Sequence, residues 1–468
     1  MTPSRTALTL AALMLAPAAQ IMAARPAAGQ SLQESLAMAY SNNPTLQAAR
    51  AQLRAVDENV PQALAGWRPT VQVTGSAGSA QGTTTLTGPR SQPNGRSNND
   101  RDPVSAQASV TQPLYRGGRT VSSTRRAENQ VLAQRARLLA TEQTVLQDTV
   151  IAYVAVIRDQ EEVRLNINNE QVLTRQLQAT NERFRVGEIT RTDVAQAESR
   201  LAGSRAARAD SEGRLQSSRA VFTRLVGQSP ERLVAPQPLR TPVPNAREAG
   251  ALASQNNPNV VAALFDEAAA RDLIDVNFAT LLPVVSLNAS TFRNDNAASA
   301  DVRSTGSQVT ANVTVPLYQG GAEHALVRQA RQSAQQARAV VEDQRRVANQ
   351  QATAAFETLT AARAQVDSVR AQIRAAEIAL DGVQREAIVG SRTTLDVLNA
   401  EQELLNARVS LVRALANVIT ASHSLATSVG RLTARDLNLP VQIYDMEAYY
   451  REVRNRWAGW GDYAQQGR

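Results

Sequence analysis

Cysteine is absent from all 468 residues. That excludes a disulfide framework, a thiolate nucleophile and a Cys-based zinc site, and no acyl chain can be carried on a cysteine behind a leader. Lysine is absent as well, so all 50 basic residues are arginine. Aromatics make up 4% of the chain, and its two histidines, His324 and His423, sit alone on helical stretches. No GxSxG elbow, Walker loop or HExxH occurs, and the Gly pair of YRGGR lacks the further glycines of a phosphate cradle. Enzymatic chemistry and a bound cofactor are therefore not expected. Beyond the N-terminus no run of 18 apolar residues would hold the chain in an inner membrane as a helix.

Ala, Gln and Arg dominate what remains, and small side chains in such quantity suit closely packed helices. The formal charge is +8. Its arginines are interleaved with Glu, Asp and Gln along helical stretches, as on solvated faces, so nucleic acid is not an expected partner. The N-terminus, MTPSRTALTLAALMLAPAAQIMAARPAAGQ, has Arg5, then an apolar Ala7–Leu15, then small residues with cleavage candidates at Ala16–Ala18 and Ala23. We read residues 1–29 as a secretory signal peptide.

The chain writes much of itself twice. VTQPLYRGG at Val110 returns as VTVPLYQGG at Val313, and VGEITRTDV at Val186 returns as VGSRTTLDV at Val389, both 203 residues later. NNPTLQAAR at Asn42 returns as NNPNVVAAL at Asn256, 214 residues later. A unit of about 200 residues is too long for a solenoid repeat, so two similar halves build one architecture. The expected division is a first repeat over 30–227, a linker or collar over 228–245, a second repeat over 246–430, and a C-terminal collar or tail over 431–468. The change in offset implies an insertion in the first copy. Thr83–Asp102, rich in Gly, Pro, Ser and Asn, reads as a flexible loop there.

Each copy predicts a short helix, a strand, a loop, a strand, a very long helix, a tight turn and a returning helix. Val104, Ala106, Ala108 and Val110 alternate with Ser105, Gln107, Ser109 and Thr111. Val309, Ala311, Val313 and Val315 repeat the pattern, which marks strands with one apolar and one polar face. Weaker strands start at Val71 and Val285. Arg119–Phe184 contains neither Pro nor Gly, and Ala322–Ala387 contains only Gly382. Helices of that length reach about 100 Å. Leu132, Leu139, Leu146 and Tyr153, with Val131, Leu138 and Val145, keep a seven-residue spacing that implies supercoiled packing. Pro69, Pro113, Pro283 and Pro316 fall at strand–helix junctions. Trp67, Tyr115 and Tyr318 lie beside strand ends, where membrane-interface aromatics gather; packing at the junction is the alternative.

Four strands leave two open edges, which lipid does not tolerate. Three copies would supply 12 strands to one barrel with a wide polar lumen, and the long helices would continue the tube into the periplasm. A soluble periplasmic coiled-coil adaptor or scaffold is the competing reading of the helices; the duplicated strands speak against it.

SLQESLAMAYSNNPTLQAARAQL, the duplicated PLYxGG, RFRVGEITRTDV and REAIVGSRTTLDVLNAEQELLNAR together resemble TolC-type outer-membrane efflux and secretion channels, over essentially everything after the leader. The resemblance implies a mainly α homotrimer with a shared 12-stranded β-barrel in the Gram-negative outer membrane, a periplasmic α-barrel and an equatorial collar. It implies a periplasmic adaptor and an inner-membrane transporter, ABC or proton-driven, as partners. The cargo is protein in type I secretion, which the missing acyl-bearing Cys favours, or small molecules in multidrug efflux. It makes the two VG turns (Val186, Gly187, Val389, Gly390) adaptor-docking tips. It also makes Arg392, with Asp193 and Thr192, a latch on the periplasmic entrance, and Asp396 an acidic constriction residue. Ala387 and Asn399 depart from the pattern, in place of a gate tyrosine and a second acid, which implies a looser latch and a less acidic ring.

Overall fold

A computed structural model describes residues 30–86, 95–241 and 243–461. The expected leader, the centre of the expected loop at 87–94, and the end of the tail lie outside the described residues.

The first copy runs through α1 (Leu32–Asn42), α2 (Pro44–Asp57), α3 (Asn59–Leu64), a 3-10 turn (Ala65–Trp67), β1 (Thr70–Ala77), β2 (Ala80–Leu86), β3 (Gly95–Arg101), β4 (Val104–Arg116), α4 (Arg119–Arg185) and α5 (Arg191–Val226). The second runs through α6 (Ala246–Asn256), α7 (Pro258–Phe278), a 3-10 turn (Ala279–Leu281), β5 (Val284–Asp295), β6 (Arg303–Thr314), α8 (Ala322–Ile388) and α9 (Thr394–Ser428), and α10 (Ala448–Val453) follows in the tail. The NNP motifs have a local reason. Asn43 and Asn257 each cap a helix that begins on Pro, the side chain accepting the N–H two residues on. Each also donates to the end of the returning helix of its own copy, Asn43 to Leu225 O at 3.1 Å and Asn257 to Ser428 O at 3.2 Å.

β1, β4, β5 and β6 form one antiparallel sheet in that order, so β1 and β6 are its free edges. The duplication is kept in the pairing: Val71 faces Val110 in the first copy, and Val285 faces Val313 in the second. Cross-strand partners share a face. One face carries Val71, Val73, Ala106, Ala108, Val110, Leu287, Ala289, Val309, Ala311 and Val313 near the helices, then Thr291, Arg293, Asp295 and Arg303 farther out. The opposite face is mainly polar, with Gln72, Thr74, Gln107, Ser109, Asn288, Ser290, Gln308, Thr310 and Asn312, and its one charge is Arg116, opposite Val284 at the helix end. Phe292 on that face covers Gly306, where a side chain would meet its ring at 2.9 Å.

The prolines sit at the junctions. Pro69 and Pro283 directly precede β1 and β5, Pro113 lies at a register shift in β4, and Pro316 follows β6. The segment expected to be a loop is corrected by the structure. Its arms are β2 and β3, a separate ribbon with Thr83 opposite Asn98 and Ala80 opposite Arg101. A two-stranded ribbon has no core to fill, so Gly, Ser and Asn are tolerated in it.

α4 and α8 are 67 residues each. α4 coils with α5 below and packs between α2 and α7 above, while α8 packs on α9, α7 and α6. In α4 the buried heptad positions are Val131, Leu138 and Val145, then Leu146 and Tyr153; Leu132 and Leu139 are half-buried. α9 is long and apolar enough by composition to cross a bilayer, but its apolar residues Leu425, Val418 and Ala414 pack in a core with α6 and α8. A girdle at mid-height joins α1, α4 and α9 to Leu239 and to the tail residues Leu432, Leu439, Tyr444 and Met446. Tyr153 locks it: its buried hydroxyl lies 2.8 and 2.6 Å from the carbonyls of Gln30 and Val234, and burial pushes its pKa up to about 12.

Candidate functional site: the hairpin tips and the base of the sheet

The two α-hairpins end in the same local structure, built from the same letters. α4 and α8 close with Gly187 at φ 80° and Gly390 at φ 81°, the left-handed position that glycine takes without strain. Gly187 N–H bonds Phe184 O at 3.0 Å and Glu188 N–H bonds Arg183 O at 3.0 Å; Gly390 N–H bonds Ala387 O at 3.2 Å and Ser391 N–H bonds Glu386 O at 3.0 Å. These are Schellman endings. Thr190 and Thr393 then cap the returning helices in reciprocal boxes with Asp193 and Asp396. Thr192 stands in the first turn of α5. Val186 and Val389 are each 78% exposed, so both tips end on a bare valine–glycine pair.

Within one protomer no hydrogen bond or ion pair among the described residues joins Arg392 to Asp193 or Thr192. Arg392 instead donates to Glu386 at 2.8 Å, across its own turn. That bond, then the charges of Glu386 and Asp396, raise the Arg392 pKa. The Thr393 backbone and hydroxyl, and then Arg392, hold the Asp396 carboxyl below its ordinary value. Arg183 and Glu188 make the matching pair at the other tip, at 2.6 Å. Near the tips Arg200 of α5 links the two hairpins by donating to Asn399 of α9 at 2.8 Å, above which Leu398 packs against Leu173 and Leu201. Asn399 can accept this bond as an amide, so the departure from an acidic residue is accommodated.

Higher up, Glu162 on α4 is buried between the hairpins. It accepts from Arg413 of α9 at 2.7 and 3.1 Å and from Arg214 of α5 at 3.2 Å. Burial pushes its carboxyl up, but the Arg413 bond and the charges of Arg413, Arg214 and Arg158 outweigh it, and the pKa is lowered. This hub is invisible in the residue pattern, because its partners are far apart in the chain and each alone is one arginine among many.

At the other end, Trp67 is 40% exposed, Tyr115 45% and Tyr318 81%. The difference between the two tyrosines follows from their neighbours. Tyr115 pairs with Val285 in β5, and Gly117 is packed against Ala279 and Leu282. Tyr318 lies beyond the end of β6, and a Cβ at Gly320 would meet nothing within 4 Å.

An amphipathic sheet whose strands run into helices of about 100 Å defines the protomer of an outer-membrane duct. The chain belongs to the outer membrane efflux protein family, whose model matches residues 36–228 and 250–431. It is 34% identical over 444 residues, 94% of each chain, to the outer membrane efflux protein BepC of Brucella suis biovar 1. It is 27% identical to the outer membrane protein TolC of Vibrio cholerae, over 72% of this chain and 79% of that one. The CmeC outer membrane channel of Campylobacter jejuni shares the fold, with a TM-score of 0.75 over 91% of this chain and 89% of that one at 16% identity. The protein is thus an outer-membrane channel component of TolC-like fold and not an enzyme. The adaptor reading of its long helices is overturned by the family match.

Proposed function

We propose that three copies close into one tube that serves as the exit duct for an inner-membrane transporter and its periplasmic adaptor. The observation that carries the reading is an asymmetry between two equivalent junctions. Inside the chain, the first repeat meets the second through β4–β5 and α4–α7, and that junction is complete. The equivalent junction, from the second repeat onward, is open: β6 and β1 are free edges, and Leu317 is 92% exposed. A second copy supplies the missing side. Because both copies keep one internal register, the β4–β5 pairing transposes onto β6 and the next protomer's β1. Val110 opposite Ala289 becomes Val313 opposite Gly75, Ala108 opposite Thr291 becomes Ala311 opposite Ala77, and Tyr115 opposite Val285 becomes Tyr318 opposite Val71.

The chain has no cysteine of its own, so the test is direct. Ala77→Cys with Ala311→Cys should give covalently linked protomers on oxidation in outer-membrane vesicles. Ala77→Cys with Asn312→Cys, one residue out of register and on the other face, should not. Protomers that stay uncrosslinked in the first pair, or link equally in both, would remove the transposed closure.

In the closed tube the polar face lines the lumen, and Val186, Gly187, Val389 and Gly390 meet the adaptor. Arg392, Asp193, Thr192, Asp396 and Asn399 ring the periplasmic entrance, with Arg392 leaving Glu386 for a neighbour's acid when the ring closes. A lumen face whose one charge is Arg116 at its helix end selects little, so the transporter sets the cargo. We assign the duct first to type I protein secretion; the BepC relative, named for efflux, supports multidrug efflux as the second reading. A deletion strain separates them by loss of a secreted polypeptide or by gain of sensitivity to dyes and detergents.

A further inference from the structure

The chain holds three tryptophans, Trp67, Trp457 and Trp460. They lie nearly four hundred residues apart in sequence, yet the fold brings them to one level. After the girdle the tail climbs the groove of α2 and α4. Glu447 pairs with Arg135 at 3.1 Å, and a turn or two nearer the sheet Arg454 pairs with Glu128 at 2.9 Å. Tyr449 donates to Glu58 at 2.7 Å, and Tyr450 lies under Arg135 and Arg454. The climb ends at the residue before the β1 proline. Arg68 donates to the Arg456 carbonyl at 2.6 Å, and its guanidinium lies 5.2 Å from the Trp457 ring. The last turn curls about Arg456, which donates to Ala458 O at 3.3 Å and Gly461 O at 3.1 Å. That curl throws the indoles outward: Trp457 is 70% exposed and Trp460 fully so.

We infer that this tail is a membrane-interface clamp, which seats Trp457 and Trp460 beside Trp67 among the phospholipid headgroups at the periplasmic edge of the barrel. The apolar face of β1 begins at Val71, four residues beyond Trp67, so the clamp sits where hydrocarbon gives way to headgroups. Indole is apolar in body with one N–H donor, the chemistry that partitions to that layer. Arg68 adds cationic charge for phosphate. Tyr449, Tyr450 and the paired arginines hold the tail against the helices, so the indoles need no ordering of their own at the membrane. The inference rests on the placement of the sheet in the outer membrane.

Because the only tryptophans are these three, intrinsic fluorescence reads the clamp directly. The full-length protein would be reconstituted in phosphatidylcholine vesicles as the W67F variant, leaving the tail pair as the only emitters. Acyl chains brominated near the headgroup should quench the blue-shifted emission more than chains brominated near the bilayer centre, and aqueous acrylamide should quench it several-fold less than it quenches free tryptophan amide in the same buffer. A second variant, with all three tryptophans replaced by Phe and Val73→Trp introduced, reports the sheet. If Val73→Trp is quenched by brominated chains while the tail pair answers only to acrylamide, the clamp is refuted and the barrel stands. Tail emission that neither quencher reaches would mean the indoles are covered by protein, and would refute it equally. If Val73→Trp is itself unquenched, the membrane placement fails and the clamp with it.

Discussion

Asp57 shows what a single buried carboxyl can cost. It ends α2 beneath the tail, is 1% exposed, and neither of its oxygens has a hydrogen-bond partner; the Arg135 Nε beside it is likewise unpartnered. Burial is the largest influence and Arg135 opposes it, leaving the pKa raised from 3.8 to about 6. A carboxyl that holds its proton more tightly when folded contributes stability below its unfolded pKa, and that contribution is lost as pH rises from 3.8 to about 6. Above that window the fold carries a charged, unpaired group. Asp57→Asn should therefore raise the melting temperature at pH 7 and above, by a stability gain of up to about 3 kcal/mol at about 1.4 kcal/mol per unit. Variant and parent should converge in acid below the window. A melting curve unchanged at neutral pH would show that water or an unseen partner already satisfies the group. Asp57 was not legible in the sequence, where it is one more acid in an Arg-rich helix. Nor was Arg392's bond to Glu386: the motif predicted a partner on the other hairpin, but the Schellman turn folds the Arg392 fork back onto the helix that ends there. The turn glycines themselves were legible, because VG before a T-x-x-D box has few other conformations.

At the scale of elements, the two long helices, the alternating strands and the duplication could all be read, since each is a periodic pattern repeated over many residues. The β2–β3 ribbon could not. Among the described residues no core cluster includes it, so nothing imposes an alternation, and its letters are those of a loop. The order of the sheet was also hidden, because pairing between copies depends on β4 meeting β5 across a gap filled by four helices. A Cβ at Gly187 or Gly390 meets nothing within 4 Å, so steric clash does not enter; alanine there costs only the left-handed strain of about 1 kcal/mol. Asparagine relieves most of that strain but still covers the backbone. If bare backbone is the contact for an adaptor helix, alanine and asparagine at both tips should each cut recovery of the cross-linked adaptor on the order of tenfold, with the assembled channel intact. Recovery restored by asparagine would assign the glycines to turn geometry alone.

At the scale of the whole molecule, the question is where an ion or a cargo meets charge. The chain is basic overall, yet the sheet's polar face is neutral beyond Arg116 at its helix end: Gln72, Thr74, Gln107, Ser109, Asn288, Ser290, Gln308 and Thr310 carry no charge. The other charged residues of the sheet, Arg293, Asp295 and Arg303, stand on the opposite face at its far end, where Asp295 is paired with both arginines. A duct with that lining would take its ion preference from the opposite end, where each protomer contributes Asp396 and Arg392. Asp396 stays ionised well into acid, since its Thr393 bonds and Arg392 depress its pKa, so the preference should be flat across neutral pH. In planar bilayers, Asp396→Asn should move the reversal potential under a salt gradient toward that of an unselective pore, while Gln107→Ser in the sheet leaves it unchanged. Arg392→Ser with Asp193→Ala should act on a different quantity, raising single-channel conductance by freeing the entrance ring. The variant Glu386→Gln separates the two partners of Arg392. If Glu386 holds the arginine away from the ring in the open state, its loss should lower conductance by releasing Arg392 to a neighbouring protomer's acid. Equal conductance in Glu386→Gln, in the double variant and in the parent would mean that the narrowest charge ring lies elsewhere in the tube.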